Sequence, residues 1–250
     1  MKLIPEQSAN EPQAEDESRT LADKVFRKIQ AAIVSGAMPP GSKISETELA
    51  KQYGISRGPL REAINRLESR KLLVRQAHVG ARVVSLSIEE LIDIYYTREA
   101  LEGMACRLAA EKMTAEEIAG LRELLEKHRQ QAELQSGRAY FQQEGDLDFH
   151  YRIVKGSRNQ LLSGILCGDL YHLVRLYRYR FSDTKGRPKK AFSEHRQIID
   201  AIENKDGELA ELLMRRHISR ARINIEQRFK NQHAENIQLA AAIGISTEAQ

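Results

Sequence analysis

Asp146 and His150 stand four residues apart, the spacing that puts a carboxylate and an imidazole on one helix face, while Asp148 would point nearly the opposite way. His195 lies ten residues before Lys205 and His217 eleven after Asp206, so the two flank Lys205-Asp206-Gly207 almost symmetrically. An antiparallel helix hairpin turning there sets both imidazoles at one level. Three histidines and a carboxylate converging in this way suit a divalent transition ion, zinc or nickel first, with positions left open for water or an acid ligand. Arg98 presents a planar, permanently charged fork suited to the carboxylate of such a ligand. It could equally brace Glu102, one helical turn further on. The plainer alternative is that an i, i+4 Asp/His pair is a surface ion pair and each histidine a partly buried polar residue. The four positions together favour the metal. A second set, Arg57, Arg61 and Asn65, recurs at i, i+4, i+8. Arginine can bond guanine O6 and N7 as a fork, and asparagine can do the same for adenine N6 and N7. The bland reading is that these arginines merely solvate a helix surface.

The segments around Arg57 decide between those readings. Leu21, Val25, Ile29 and Ile33 recur at helical spacing until Ser35-Gly36 and Met38-Pro39-Pro40-Gly41, so a first helix ends near Ser35. Ser45 and Glu48 have the form of a capping box, opening a short helix with Leu49 and Tyr53 inward and Gly54 as its stop. Ile55 plugs the turn, and Ser56 caps a third helix running to about Lys71. Pro59 is tolerated there because the N–H groups of the first turn lack intrahelical partners. Leu60, Ala63, Ile64 and Leu67 form its buried stripe, leaving Arg57, Arg61 and Asn65 on another face. Leu72-Leu73-Val74-Arg75 and Ala81-Arg82-Val83-Val84 then flank Gln76-Ala77-His78-Val79-Gly80, a β-hairpin whose glycine can supply positive φ. Helix, turn, recognition helix and wing are the parts of a winged helix-turn-helix, expected over residues 19–85.

From Ile88 to about Phe229 the pattern is amphipathic helix throughout, broken near Met113-Thr114, Ser136-Gly137, Gly156-Ser157, Ser182 to Pro188, and Asn204 to Gly207. About six helices are expected. The fold class is therefore mainly α, a winged helix-turn-helix followed by an all-helical bundle over 86–230. Tyr171, Tyr177 and Tyr179, interleaved with Arg175, Arg178 and Arg180, read as core-facing rings with solvated arginines rather than a nucleic-acid stripe. Asn159 is placed to cap a helix. Residues 231–250 form a tail of no assigned function, and His78, His128, His172 and His233 match no site.

Charge separates the two parts. The net +4 resolves into about +8 for residues 19–85, about −4 for the first eighteen, and about zero beyond. A basic head on a neutral body fits a polyanion-binding module joined to a unit with another task. Residues 1–18, with Glu6, Glu11, Glu15, Asp16, Glu17, Pro5 and Pro12, read as a disordered acidic arm, not a secretory signal. No apolar run approaches the roughly 20 residues of a membrane span, and two cysteines in apolar patterns, Cys106 and Cys167, suit the reducing cytoplasm. No phosphate-cradling glycine loop, nucleophile elbow or paired catalytic carboxylates stand out.

The head resembles that of GntR-family regulators in Pro40-Gly41, Glu48-Leu49-Ala50, Ser56-Arg57-x-Pro59-Leu60-Arg61-Glu62-Ala63, Leu67 and wing Gly80. The resemblance implies that Arg57 and Arg61 touch bases or phosphates, supported by Thr47, Gly58 and the wing tip near Gly80. Thr47 stands where some relatives carry arginine, and Gln76-Ala77-His78 is a weakly basic wing tip. In the body, Arg98-x-x-x-Glu102, Asp146-x-x-Phe149-His150, Asn159, Glu194-His195 and Met214-x-x-His217 resemble the FCD ligand-binding domain of the FadR-type branch. Together these imply a homodimeric repressor on double-stranded DNA with a palindromic operator, answering to a small carboxylate effector through the metal. The alternative is a metal-dependent hydrolase tethered to nucleic acid, which wants a general base beside the metal-bound water. A third reading, a constitutive architectural DNA binder, would be indifferent to small molecules.

Overall fold

The computed structural model describes residues 20–76, 79–136, 148–181 and 187–242, with backbone alone for 132–133 and from 232 onward. In chain order its elements are α1 (Leu21–Val34), α2 (Glu46–Tyr53), α3 (Arg57–Ser69), β1 (Leu73–Gln76), β2 (Gly80–Val83), α4 (Ile88–Lys112), α5 (Ala115–Arg129), α6 (Ala132–Ser136), α7 (Phe149–Gly156), α8 (Gln160–Gly164), a π-helical turn (Ile165–Asp169), α9 (Tyr171–Arg180), α10 (Arg187–Glu203) and α11 (Gly207–Ala242). They form two compact units: described residues up to Ser85 with Gly168–Arg180, and Leu86–Cys167 with the chain from Phe181 onward. The acidic arm expected over 1–18 lies outside the described residues.

In the first unit, Thr20 and Asp23 form a reciprocal capping box that starts α1. Its buried face is Ala22, Val25, Phe26, Ile29 and Ile33. Leu21, counted in the sequence stripe, is 60% exposed. Ser45 Oγ accepts from Glu48 N to open α2, and Gly54, at φ 63°, ends it in the left-handed conformation that costs glycine nothing. Ser56 occupies the N-cap position of α3, but its hydroxyl makes no capping bond, so its expected capping role is positional only. Leu60, Ala63, Ile64 and Leu67 are wholly buried. The wing pairs β1 and β2 antiparallel, Leu73 opposite Val83 and Gln76 opposite Gly80. The segment before α2 lies along β2, with Ile44 N donating to Ala81 O and Val83 N to Ser42 O.

One helix of this unit comes from far along the chain. α9 packs on α1, where the Gln30 amide and His172 Nδ1 meet at 3.1 Å, both residues buried. Tyr171 and Tyr177 are buried as the sequence implied, but in the head's unit, which interrupts the continuous 86–230 body expected from periodicity. An amphipathic helix announces that it buries a face and leaves open against what.

In the second unit, the Ser87–Glu90 capping box opens α4, which lies along α11 and also meets α7 and α10. α4 and α11 come together at Gly103, where an added Cβ would sit 2.6 Å from Arg215 Cγ. α10 and α11 form the helix hairpin anticipated about Lys205-Asp206-Gly207, with Lys205 in the left-handed region at φ 58°. The chain is helical on both sides of residue 231, so the tail has no boundary there: α11 continues to Ala242. Breaks after Arg129 and around Gly164, which no proline marks, divide the body into more helices than the six read from the sequence.

Candidate metal centre and nucleic-acid interface

α7, α10 and α11 each deliver one histidine to a single point. One ring nitrogen of each of His150, His195 and His217 lies within 4.8 Å of the others, and all three residues are buried. His195 Nε2 and His217 Nε2 are 3.3 Å apart. Asn159 caps α8, accepting from Leu161 N and Leu162 N, and touches none of this. Asp146, the fourth ligand expected, lies outside the described residues. The helix carrying His150 begins only at Phe149, with Asp148 as its N-cap accepting from the N–H groups of His150 and Tyr151.

Two carboxylates fix the rings. Glu102 Oε2 accepts from His150 Nδ1 at 2.6 Å, and its other oxygen, Oε1, accepts from Arg98 Nε at 2.7 Å. Glu194 Oε2 accepts from His217 Nδ1 at 2.7 Å and from Arg187 at 2.6 Å, while Oε1 takes Arg220 at 3.0 Å. Burial works against the charge on Glu102, yet Arg98 and His150 together hold its carboxyl well below the usual range. Burial likewise opposes Glu194, but His217 and Arg187 outweigh it and keep its pKa at about 2. An ionised carboxylate only accepts, so the Nδ1 atoms facing Glu102 and Glu194 carry protons, and the Nε2 atom of each ring is the one no carboxylate engages. Burial, with the neighbouring imidazoles, pushes His195 well below its ordinary value and His217 down to about 3. Phe149 stacks on the His195 ring at 4.0 Å between centroids.

This donor set fits a divalent transition ion. Neutral imidazoles are the ligating form, and a histidine that donates its second N–H to a carboxylate is the usual outer shell of such a site. Sequence reasoning named the histidines and missed the braces, although Glu102 and Glu194 both stood in the motif that carried the resemblance. Arg98 is 2% exposed, and its ion pair with Glu102 is the alternative the sequence left open. Its guanidinium also lies over the Tyr95 ring at 4.7 Å. Among the described residues, Arg98 hydrogen-bonds through Nε alone. His128, matched to no site by sequence, is buried and close enough to disfavour charge on His195.

On the head, Thr47, Arg57, Gly58, Arg61, Asn65 and Gly80 are all exposed. Gly58 has nothing within 4 Å of an added Cβ, and Gly80, at φ 95°, makes the wing turn. Arg61 Nε is paired with Glu46 at 2.9 Å, an exposed contact that exchanges readily for another anion. Asn65 Oδ1 receives a long 3.5 Å bond from Arg75, which also pairs with Glu68, so the wing strand adds a cation beside Asn65 that sequence reasoning had not singled out. Its position on the solvent face of β1 was the available signal.

A winged helix-turn-helix with an open basic helix, in a chain that also carries a buried histidine cluster in a helical bundle, defines a DNA-binding regulator with a second, helical unit. The comparisons with known proteins agree in both parts. Residues 21–83 match the model described as bacterial regulatory proteins, gntR family, and residues 93–220 match the FCD domain. The chain is 33% identical over 202 residues to a Paenarthrobacter nicotinovorans protein named "Probable D-xylose utilization operon transcriptional repressor", covering 80% of this chain and 86% of that one. It is 30% identical over 194 residues, 74% of this chain and 82% of the other, to the HTH-type transcriptional regulator YdhC of Bacillus subtilis. Among solved structures, Escherichia coli McbR/YncC shares the fold at a TM-score of 0.65 and 23% identity, over 84% of this chain and 99% of that one. The chain belongs to the gntR family of bacterial regulatory proteins and carries an FCD domain; it is a transcriptional regulator, and the hydrolase alternative falls with that assignment. No described helix is long and apolar enough to cross a membrane.

Proposed function

We propose that this regulator is a homodimeric repressor whose DNA affinity is set by a small carboxylate bound at a metal held by His150, His195 and His217, with Asp146 as fourth ligand. The observation that carries the reading is the convergence of three buried imidazoles, two of them braced through Nδ1 by Glu102 and Glu194. Zinc or nickel suits a set of three imidazoles and one carboxylate. A bound ion supplies a Lewis-acidic anchor for one carboxylate oxygen of the effector. The chain's own part is to keep His195 and His217 neutral, to orient the rings, and to present the Arg98 fork to the effector's remaining oxygen. Arg57, Arg61 and Asn65 read the major groove, with Thr47, Gly58 and the wing at Gly80 against the backbone. A dimer of such heads requires two half-sites related by a dyad. Repression is the role in the names of relatives such as the Paenarthrobacter nicotinovorans protein and RspR of Escherichia coli, 26% identical over 204 residues.

The test pairs elemental analysis with operator binding. Wild-type protein should carry one transition ion per chain and respond to a panel of small carboxylates with a change in operator affinity, whereas His195→Ala should lose both. Full metal occupancy in His150→Ala and His195→Ala alike would sink the site.

A further inference from the structure

Glu102 is the one carboxylate among the described residues that touches both Arg98 and a histidine of the cluster. Each oxygen has its own partner: Oε1 takes Arg98 Nε at 2.7 Å, and Oε2 takes His150 Nδ1 at 2.6 Å. All three side chains are almost wholly buried, so neither pair is screened by water. Arg98 and Glu102 share α4, one turn apart, and His150 reaches Glu102 from α7, so any shift of the guanidinium pulls on the carboxylate that aims the imidazole. Glu194 differs: its cations, Arg187 and Arg220, come from α10 and α11, the helices of its own hairpin.

We infer that Glu102 is a positioning residue that couples Arg98 to the metal, so that Arg98 sets metal affinity through Glu102 without touching the ion. The inference rests on the metal reading above and deepens it: by linkage, whatever an effector does to Arg98 is felt as a change in ion affinity, and the ion changes effector affinity by the same factor. Effector and metal then act as one signal.

The experiment is a double-mutant cycle on full-length protein, with zinc affinity measured by chelator competition and the cobalt(II) absorption spectrum as a second readout. Removing an outer-shell partner typically weakens a metal about 10- to 100-fold, and Glu102→Gln should fall in that range. Arg98→Gln should weaken zinc by about 3- to 10-fold, a fraction of that range, and alter the cobalt spectrum. In the Glu102→Gln background the same Arg98 change should do almost nothing. Equal zinc affinity in wild type and Arg98→Gln, or an equal loss in both backgrounds, would overturn the coupling while leaving the metal reading intact. Wild-type protein that takes up neither ion would overturn both. If Glu102→Gln does not fold, the cobalt spectrum of Arg98→Gln carries the decision: an unchanged spectrum refutes the coupling, and an altered one with operator affinity retained supports it.

Discussion

Among the described residues, Arg57, Arg61 and Asn65 stand on an exposed helix face with one or no partner each, whereas His150, His195 and His217 are at most 6% exposed and sit in a shell of charged braces. The two regions use polar residues in opposite ways. On the head, exposure keeps the side chains hydrated and free to re-pair, which suits the DNA contacts proposed for them. In the bundle, burial raises the cost of every unpaired charge, and the hydrogen bonds that His150 and His217 donate to Glu102 and Glu194 limit the rotation of those two rings. A mutation on the head should therefore read out in binding with stability unmoved, and one in the bundle in both.

The sharpest way to break that contrast is Glu194→Leu. It strands Arg187, and removing one partner of a buried ion pair costs about 3–5 kcal/mol, to be seen as a lower midpoint in denaturant together with loss of metal. An unchanged midpoint would mean the bundle tolerates its charges as loosely as the head does. Next comes Arg57→Ala with Arg61→Ala: each should cost about 1–3 kcal/mol of operator affinity at fixed salt, with the melting temperature unmoved. Arg75→Ala extends the head's reading face to the wing strand; as a surface contact it should cost about 1 kcal/mol or less of binding and flatten the salt dependence by about one phosphate contact. The smallest effect belongs to Asp23, where Arg66 and then Thr20 hold the carboxyl at about 2. A depressed pKa contributes stability that is present above the unfolded value and lost as pH falls through the folded one. Asp23→Asn should thus narrow the wild-type advantage between about pH 4 and pH 2 and leave it absent below, measured as melting temperature against pH.

The head was legible in the sequence almost residue by residue because its signals are local: caps at Ser45 and Gly54, the stripe Leu60-Ala63-Ile64-Leu67, and Gly80 at the wing turn. The levels of His195 and His217 were legible for the same reason, since a helix hairpin converts sequence distance from its turn into height. What connects different helices was not. Glu102 meets His150 across 48 positions, and Glu194 sits beside His195 in sequence yet pairs with His217. Helical periodicity gives a face without naming the neighbour, so the braces could be seen as residues and not as partners. The same blindness hid α9, whose pattern announced a core-packed helix but not that its His172 would meet Gln30 of α1.

That last contact bears on how modular the chain is. The head's compact unit includes Gly168–Arg180, so the polypeptide passes between the two units after Ser85, after Cys167 and after Arg180. A fragment ending at residue 85 would leave the buried amide of Gln30 facing solvent and strip a helical layer from α1, so it should melt lower than the same fold within the whole chain. For anyone grafting this head onto a different sensor, or exchanging sensors between relatives, the transplantable piece is discontinuous: residues 168–180 must travel with it.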